Sequence, residues 1–296
     1  MTDRLRVGLV GAGPWATSVH APTIAAHQQT ELVGVWARRP DAAVALAAAH
    51  SAQPYDSVSA LIGAVDAVAF AVPPAVQVPF AIEAAEAGRH LILEKPIAST
   101  VDDAQRLADA VTTAGVASIV MLVMRFAPEV QEWLRLVRPV GGWQAGSARW
   151  LSGALLGGPY SASPWRHEEG ALADVGPHVV DLIDAALGEV TEVLAAHYAE
   201  PDMWHLILGH SGGATSTVSM SMRLPLLPTI AAFEVYGRYG HNELAPRATS
   251  AQDCYLAMLD DLVGMVRNGS TEHECDVRRG LHLQRVLAAA RRLCRT

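Results

Sequence analysis

A carboxylate, an ammonium and a proline follow directly on an apolar stretch in residues 91–97, which read LILEKPI. The apolar residues predict a buried strand, and Pro96 predicts its end, because proline lacks an N–H and fixes its own φ. Neighbouring strand residues point to opposite sides, so Glu94 and Lys95 are not expected to neutralise each other. In a doubly wound sheet, ligands bind beyond the carboxyl ends of the strands. We therefore expect Lys95 to face a ligand rather than to be an ordinary surface lysine, with Pro96 as a candidate cis proline.

A histidine and a carboxylate lie four residues apart within residues 173–181, which read ADVGPHVVD. Pro177 suits the first turn of a helix and Gly188 suits its end, which places His178 in the first turn and Asp174 just before it. A helix N-terminus disfavours an imidazolium and a carboxylate favours it, a balance that suits a general acid or base. Taken alone, a histidine at a helix start such as His178 is usually structural. A metal site is not expected, because no third nitrogen or sulfur ligand is arranged nearby.

A glycine-rich turn of sequence GAGPWA, residues 11–16, follows the first apolar run of the chain. It matches G-x-G-x-x-A, a variant of the dinucleotide fingerprint, in which Gly11 allows a tight turn and Gly13 lets the backbone approach a pyrophosphate. The free N–H groups of the following helix favour phosphate, and the context of strand, turn and helix distinguishes this motif from a plain glycine turn. The predicted cofactor contacts are Gly11, Gly13, Pro14, Trp15, Ala16, Val72, Pro73, Glu94 and Lys95, together with two arginines.

These two arginines stand where a dinucleotide site reads the adenosine ribose. An NAD enzyme often has Asp or Glu about 20 residues beyond the fingerprint, whereas this chain has Ala37 followed by Arg38 and Arg39. A guanidinium suits a phosphate dianion through its paired N–H donors and its charge. The pair therefore predicts NADP as the cofactor, with NAD possible. The alternative is a solvated pair of arginines at the start of a helix.

Composition and charge exclude several classes of function. The 296 residues carry a net charge of −8 and no run of Lys or Arg, which argues against nucleic acid and membrane surfaces as partners. No apolar stretch reaches the roughly 18 residues of a membrane span, and the first apolar run is too short for a signal peptide. The cysteines Cys254, Cys275 and Cys294 form no zinc or disulfide pattern and fit a reducing compartment. We expect a cytoplasmic protein.

The order of the apolar runs predicts an α/β protein with two domains. Strands alternate with Ala-rich helices up to about Met124, which predicts a parallel sheet, and later runs predict an antiparallel or mixed sheet with one face free to pair with another subunit. The first part has predicted strands Leu5–Val10, Glu31–Trp36, Val65–Val72, His90–Glu94 and Ser118–Val123 and helices Trp15–His27, Pro40–His50, Pro79–Ala87 and Val101–Thr113. The second part has predicted strands Gln144–Leu151, Val190–His197, Trp204–Gly209, Thr215–Met222 and Ile230–Tyr236 and helices Ala127–Val137 and Arg279–Leu293.

Together these motifs resemble the glucose–fructose oxidoreductase, inositol dehydrogenase and MocA (Gfo/Idh/MocA) family. The resemblance rests on GAGPWA, EKP, Trp165-Arg166 and ADVGPHVVD in the same order along essentially the whole chain. It implies an N-terminal Rossmann dinucleotide-binding domain, residues 1–124. It also implies a C-terminal α+β domain, residues 125–296, with a large open, mostly antiparallel sheet for substrate binding and homo-oligomer (dimer or tetramer) formation. Gln77 departs from the histidine that many members carry near this position.

By this resemblance, Lys95, Asp174 and His178 correspond to the catalytic residues of the family. The implied substrate contacts are Lys95, Arg125, Trp165, Arg166, Asp174 and His178. The implied activity is NAD(P)-dependent hydride transfer at a CH–OH group of a sugar-like, polyol or keto-sugar molecule. In it, His178 takes the hydroxyl proton, Lys95 stabilises the charge on the oxygen and Asp174 orients them. The alternatives are a nucleotide-sensing regulatory protein without turnover, and a redox-neutral enzyme that cleaves glycosides with NAD.

Overall fold

The structure, a computed structural model, describes residues 4–158, 161 and 163–294. The described residues form two compact units, each with its own six-stranded sheet. The α/β class predicted from the sequence is confirmed, with one parallel and one mostly antiparallel sheet. The first unit comprises residues 4–123 and 250–282, and the second comprises the described residues of 124–249 and 283–294.

The first unit contains a sheet of six parallel strands. These are β1 (Leu5–Val10), β2 (Thr30–Trp36), β3 (Gln53–Pro54), β4 (Ala67–Phe70), β5 (His90–Leu93) and β6 (Ser118–Val120). They pair in the order β3-β2-β1-β4-β5-β6, so the strand order reverses between β1 and β4. All four residues of β4 are buried, as are five of the six residues of β1. A parallel strand that is buried on both faces requires this continuous apolar run.

Helices of the first unit begin at residues suited to a helix N-terminus. After a π-helical turn, Ala16–His20, come α1 (Ala21–Ala26), α2 (Pro40–Ala49), α3 (Val58–Gly63), α4 (Pro74–Glu86) and α5 (Val101–Ala114). The hydroxyl of Thr100 accepts the N–H of Asp103 at 3.1 Å and caps α5, and Ser57 caps α3 in the same way. Prolines stand in the first turns of α1, α2 and α4.

Helix α4 starts at Pro74, so the predicted start at Pro79 is wrong. Pro74 takes a first-turn position, where the missing N–H has no intrahelical partner to lose. Pro79 lies inside the helix and cannot donate to the carbonyl of Ala75. The internal Pro79 is therefore a false start signal in the sequence.

One long helix of the first unit comes from the C-terminal part of the chain. Helix α9 (Ala251–Asn268) begins at Ser250, whose hydroxyl accepts the N–H of Asp253 at 3.0 Å, and it packs against α1, the π-helical turn and β6. Neither this helix nor the packing of residues 250–282 with the first unit is predicted from the sequence. The domain boundary near residue 124 stays a prediction.

The second unit contains the mostly antiparallel sheet. Its strands are β7 (Trp143–Leu151), β8 (Val190–Ala199), β9 (Met203–His210), β10 (Thr215–Ser221), β11 (Ile230–Gly237) and β12 (Gly240–Glu243). They pair in the order β12-β11-β7-β10-β9-β8, and only β10 and β7 run parallel among these strands. Side chains alternate between a buried and an exposed face, as in β11, where Phe233 and Val235 are fully buried and Ile230 is exposed.

Helices of the second unit pack on one another and, in two cases, on this sheet. They are α6 (Pro128–Val137), α7 (Pro164–Asp174) and α8 (Gly176–Leu187), and the chain closes with α10 (Val277–Leu293), which both units share. Helix α8 packs on β7, where a Cβ at Gly146 would lie 2.8 Å from a side-chain carbon of Leu187. The predicted helix between Pro177 and Gly188 is confirmed by α8. Helix α7 is absent from the sequence prediction.

Candidate functional site

The glycine turn after β1 lies where β1 and β4 end side by side. Gly11 has a φ of 122°, and a Cβ there would overlap the carbonyl oxygen of Ala71, so only glycine fits. A Cβ at Gly13 would meet no described heavy atom within 4 Å. The N–H of Thr17 donates to the carbonyl of Gly13 at 3.0 Å and closes the first helical turn. This open backbone at a helix start fits the pyrophosphate of a dinucleotide.

A cleft of about 230 Å³ runs from the glycine turn to the end of β2. Its wall includes Trp36, whose ring makes an edge contact with Phe80 at 5.5 Å between centroids. The cleft is smaller than the roughly 300 Å³ or more of a typical ligand pocket, so it suits one end of a dinucleotide. The predicted cofactor residues that line it are Gly11, Arg38, Arg39, Val72 and Pro73, whereas Gly13, Pro14, Trp15 and Ala16 begin the helical turn that follows Gly11.

The two arginines of this cleft are exposed at the entry to α2. Within the described part of the chain, the guanidinium groups of Arg38 and Arg39 have no hydrogen-bond or ion-pair partner, whereas the Arg39 carbonyl accepts the N–H of Ala43 at 3.2 Å. Arg39 is the residue that precedes α2, and its side chain does not cap the helix. The first-turn N–H groups of α2 and both guanidinium groups can therefore bind an anion.

Lys95 follows β5 within the turn Glu94–Ile97, hereafter the lysine turn. The Lys95 side chain is partly exposed, whereas Pro96 and Ile97 are buried. The Lys95–Pro96 peptide bond is cis. The backbone N–H of Lys95 donates to Oε2 of Glu94 at 3.2 Å, so this carboxylate folds back onto the turn.

The fully buried side chain of Gln77 binds both ends of the lysine turn. Its Nε2 donates to the carbonyl oxygens of Glu94 and Ile97, each at 3.0 Å, and its Oε1 accepts the N–H of Glu94 at 2.8 Å. The partners define the orientation of the amide, because a carbonyl only accepts and an N–H only donates. In the sequence, Gln77 is notable only as a departure from the family pattern.

A second buried set of hydrogen bonds connects α9 to the lysine turn. His20 Nε2 donates to Oε1 of Glu94 at 2.9 Å, and the Tyr255 hydroxyl lies 3.1 Å from His20 Nδ1. Because a carboxylate only accepts, Nε2 carries the hydrogen of the bond to Glu94, and Nδ1 pairs with the Tyr255 hydroxyl. Burial, followed by the charge of Glu94, raises the pKa of Tyr255 well above its ordinary value, which keeps this donor protonated. His20 and Tyr255 are 235 positions apart, and the sequence analysis predicts neither.

Lys95 is the only lysine of the chain. The sequence has 22 Lys and Arg residues, and all of them except Lys95 are arginine. The position after β5 thus retains an ammonium in a chain that uses guanidinium everywhere else. An ammonium is a compact charge that can lose its proton, whereas a guanidinium stays charged. This signal is present in the sequence itself.

In the second unit, helix α7 breaks just before the predicted aspartate. Gly170 has a φ of 65° inside α7, and a Cβ there would overlap Oδ1 of Asp202. The same carboxylate accepts the N–H of Ala171 at 3.0 Å and the N–H of Met222 at 3.0 Å. Burial raises the pKa of Asp202, against the hydrogen bonds that lower it. Asp202, which the sequence analysis misses, thereby fixes the start of the segment that leads to Asp174 and His178.

Three of the predicted substrate residues meet on α7. The Nε of Arg166 donates to Oδ2 of Asp174 at 3.0 Å, and the Arg166 guanidinium lies 4.8 Å from the centre of the Trp165 ring. Asp174 is buried, and Arg166 is partly exposed. The Asp174 carboxylate and the Trp165 ring together hold the Arg166 guanidinium in one orientation.

His178 lies in the first turn of α8, as predicted, and is 7% exposed. Its ring stacks on Trp150 of β7, with 6.0 Å between the ring centroids and 19° between the planes. Trp150 is a further residue that the sequence analysis misses, because no local pattern connects a strand tryptophan with a helix that begins at residue 176. The stacking fixes the plane of the imidazole ring.

Arg125 is buried in an ion pair. Its Nη1 donates to Oδ1 of Asp181 at 3.0 Å, and the two side chains are 3% and 1% exposed. A buried pair of this kind is costly to break, because the remaining charge is then uncompensated. The geometry gives Arg125 a role in connecting α8 with the turn before α6, and its role in substrate binding stays a prediction.

Neither a metal cluster nor a membrane span is found in the described part of the chain. Among residues 4–158, 161 and 163–294, no three His, Cys, Asp or Glu side chains are grouped to hold a metal ion. The helices of these residues all fall short of the length and apolarity that crossing a membrane requires. The three cysteines are free thiols.

The parallel sheet and the glycine turn define a Rossmann-type dinucleotide-binding protein, and the family models agree with this class. Residues 5–122 match the model of an oxidoreductase family with an NAD-binding Rossmann fold, and residues 145–242 match the GFO/IDH/MocA C-terminal domain. The chain belongs to the Gfo/Idh/MocA family of oxidoreductases, as the sequence motifs predicted.

Individual relatives are dehydrogenases and reductases by name. A D-apiose dehydrogenase from Paraburkholderia graminis is 33% identical over 148 residues, 47% of this chain and 39% of the relative. A dTDP-3,4-didehydro-2,6-dideoxy-alpha-D-glucose 3-reductase from Streptomyces violaceoruber is 30% identical over 199 residues, 65% of this chain and 57% of the relative. The matched region thus spans less than two thirds of either relative. The WlbA dehydrogenase from Bordetella pertussis, solved with NADH and UDP-GlcNAcA, has a TM-score of 0.85 and 27% identity, covering 99% of this chain and 97% of that chain.

Proposed function

We propose that the chain is an NADP-dependent oxidoreductase that acts on a CH–OH group, or the matching carbonyl, of a sugar-like, polyol or keto-sugar molecule. The observation that carries the proposal is the lysine turn, which holds the only ammonium side chain at the end of β5. The neighbouring strand β4 leads directly into the dinucleotide cleft. Family membership supports the redox chemistry, and the names of the relatives support a sugar-like substrate.

Each proposed catalytic side chain has a task that suits its chemistry. The Lys95 ammonium donates hydrogen bonds to the substrate oxygen and stabilises the negative charge that develops there. His178 takes the hydroxyl proton in oxidation and returns it in reduction. A bound nicotinamide supplies the hydride acceptor or donor. Asp174 keeps its predicted orienting role, and its hydrogen bond to Arg166 supports a second task, which is to hold that guanidinium toward the substrate.

The preference for NADP rests on the two arginines at the start of α2. A 2′-phosphate is a dianion, and Arg38 and Arg39 offer two exposed guanidinium groups in the cleft that begins at the glycine turn. Ala37 lines the same cleft and has no carboxylate to bind a ribose 2′-hydroxyl or to repel the phosphate.

Replacing both arginines with alanine is expected to raise the dissociation constant of NADPH by at least about thirtyfold and that of NADH by less than about threefold. A hydrogen bond to a charged group contributes roughly 1.5–3 kcal/mol, and only NADPH carries the 2′-phosphate. Fluorescence titration of the reduced cofactors measures both constants. Arg106→Ala is the matched control, because Arg106 is an exposed arginine of the same unit that pairs with Asp103 on α5. Equal weakening of both cofactors would contradict the preference.

A substrate panel separates the proposed activity from the alternatives. Sugars, inositols and keto-sugars are incubated with NADP(H) and NAD(H), and the nicotinamide absorbance is followed. An oxidoreductase changes the absorbance in proportion to product. A redox-neutral glycoside-cleaving enzyme releases sugar without a net change in absorbance, and a nucleotide sensor binds the cofactor and produces neither signal.

The three cysteines without a disulfide are consistent with the reducing cytoplasm that we propose as the location of the protein.

We further propose that the exposed face of the second sheet binds a second copy of the chain. Leu194 and Ile207 are 48% and 42% exposed on adjacent strands of this face, and Ile230 on β11 is 39% exposed. Apolar side chains grouped on one sheet face mark an interaction surface. Ile207→Glu is expected to convert a dimer or tetramer to a monomer in size-exclusion chromatography with light scattering. Val44→Glu, at a 52% exposed position of α2, is the control, and an unchanged mass for Ile207→Glu would contradict this interface.

A further inference from the structure

We propose that Gln77 is a positioning residue for Lys95, which it holds through the backbone of the lysine turn. The inference rests on the proposed function of Lys95 and extends it to a side chain behind the turn. Gln77 binds Glu94 and Ile97, and only Lys95 and Pro96 lie between these two anchored residues. A shift of the Lys95 backbone would therefore require at least one of the three hydrogen bonds of Gln77 to break.

The three hydrogen bonds explain why a carboxamide occupies this position. Two carbonyl oxygens and one N–H of the turn converge on one buried side chain, so that side chain must donate twice and accept once. Among side chains, only Asn and Gln combine two N–H donors and a carbonyl acceptor in one terminal group. A neutral histidine has one donor and one acceptor, and a glutamate has no donor when ionised. This lysine turn thus requires the amide for its backbone groups to be satisfied.

A separate tether fixes the other side of the turn. The Glu94 carboxylate accepts the N–H of Lys95, and the same carboxylate is held by His20, which Tyr255 orients in turn. Gln77 and His20 reach the turn from different elements, α4 and the π-helical turn. The two tethers together fix the backbone on both sides of Lys95.

The uniqueness of Lys95 makes its position directly measurable. Protein labelled with [15N]lysine has a single backbone amide signal in a 1H–15N spectrum, and that signal is the N–H of Lys95. Gln77→Met keeps the length of the side chain and removes all three hydrogen bonds. We expect it to move this signal by more than its line width and to speed its exchange with D2O at least about tenfold. Gln105→Met is the matched control, because Gln105 is partly exposed on α5 and donates to Asp109 of the same helix.

Kinetics then distinguish positioning from general packing. On the panel substrate that the wild type turns over fastest, Gln77→Met should lower kcat about ten- to a hundredfold and leave the dissociation constant of NADPH within about threefold. In the Lys95→Ala background, the same change should lower the residual kcat by less than about twofold, because Gln77 acts through Lys95. An equal loss in both backgrounds would make Gln77 a packing residue and overturn the inference.

A second variant covers the case in which Gln77→Met does not fold. Gln77→Glu keeps the acceptor for the N–H of Glu94 and loses the paired donors, and we expect the same displacement of the Lys95 signal. A signal that coincides with the wild type in either folded variant overturns the inference, whatever the activity. If Lys95→Ala is fully active while Gln77→Met moves the amide signal of Lys95, the proposed function fails and the anchoring of Lys95 by Gln77 stands.

Discussion

Replacing Lys95 with alanine is expected to lower kcat/KM about a thousandfold on the best substrate of the panel. Removing one preorganised donor from developing negative charge costs roughly 10²–10³-fold, and here the donor also carries the positive charge. The dissociation constant of NADPH should stay within about threefold, because Gln77 and His20 hold the turn without the lysine side chain. Steady-state kinetics and fluorescence titration of NADPH measure the two quantities.

Lys95→Arg separates charge from shape. Because the chain uses arginine at every other cationic position, a requirement for charge alone would be met by arginine here too. The guanidinium is larger and planar and does not release a proton. We expect this variant to recover less than about a tenth of the wild-type kcat/KM, as for a donor displaced from its productive position.

A labelling experiment tests the position of Lys95 without a substrate. Apart from the α-amino terminus, the chain offers one amine to an amine-selective acylating reagent, and mass spectrometry follows its modification. Bound NADPH should slow this modification if Lys95 faces the cofactor end of the cleft.

Arg106→Ala again serves as the control for the kinetics of Lys95→Ala. A Lys95→Ala variant that keeps more than a tenth of the wild-type kcat/KM would rule out the proposed role of Lys95.

Local sequence patterns predict much of the fold. Strands buried on both faces require uninterrupted apolar runs, so β1 and β5 were predicted to within a residue at either end. The strands β9 and β10 of the second sheet were likewise predicted to within a residue at either end. Very short elements, such as β3 with two residues, carry too little pattern to be predicted. Helix α9 does carry a capping serine, but its packing against α1 depends on contacts across the whole chain.

The candidate site divides along the same line. Gly11, Arg38 and Arg39 were predicted because each belongs to a local motif, and the structure brings them to one cleft. Gln77 and Tyr255 carry no local motif for their task, since each acts on a turn that lies distant in sequence. A residue whose chemistry depends on partners from other elements is visible only when the fold is known.

The missed residues share one physical property, which is that they are buried polar groups with several partners. A buried amide or imidazole must be satisfied by hydrogen bonds, and its partners are distant in sequence in this chain. Asp202 follows the same rule in the second unit, where it binds the backbone of two elements. Such residues bind groups next to the candidate site residues, and hydrophobic periodicity does not report on them.

His178→Gln is expected to lower kcat/KM by about 10²–10⁴-fold, the range that general acid–base catalysis contributes. Glutamine keeps a polar side chain in the first turn of α8 but cannot take up a proton at neutral pH. The NADPH dissociation constant should change less than about twofold, since the dinucleotide cleft is lined by residues of the first unit. The pH profile of kcat/KM should lose the limb that reports the catalytic base. Trp150→Leu, which removes the ring that stacks on His178, should lower kcat by a smaller factor and keep that limb.

The control for His178→Gln is His241→Gln, because His241 is an exposed histidine of the same unit on β12. It should leave kcat/KM and its pH profile unchanged. Thermal unfolding of all three variants separates loss of chemistry from loss of fold, since His178 is buried and its replacement also disturbs packing. A folded His178→Gln variant that keeps both its activity and its pH profile would show that another group moves the proton. Lys95 would then be the first candidate for the proton-transferring group. It carries the only ammonium side chain of the chain, and an amine that has given up a proton can still bind the substrate oxygen.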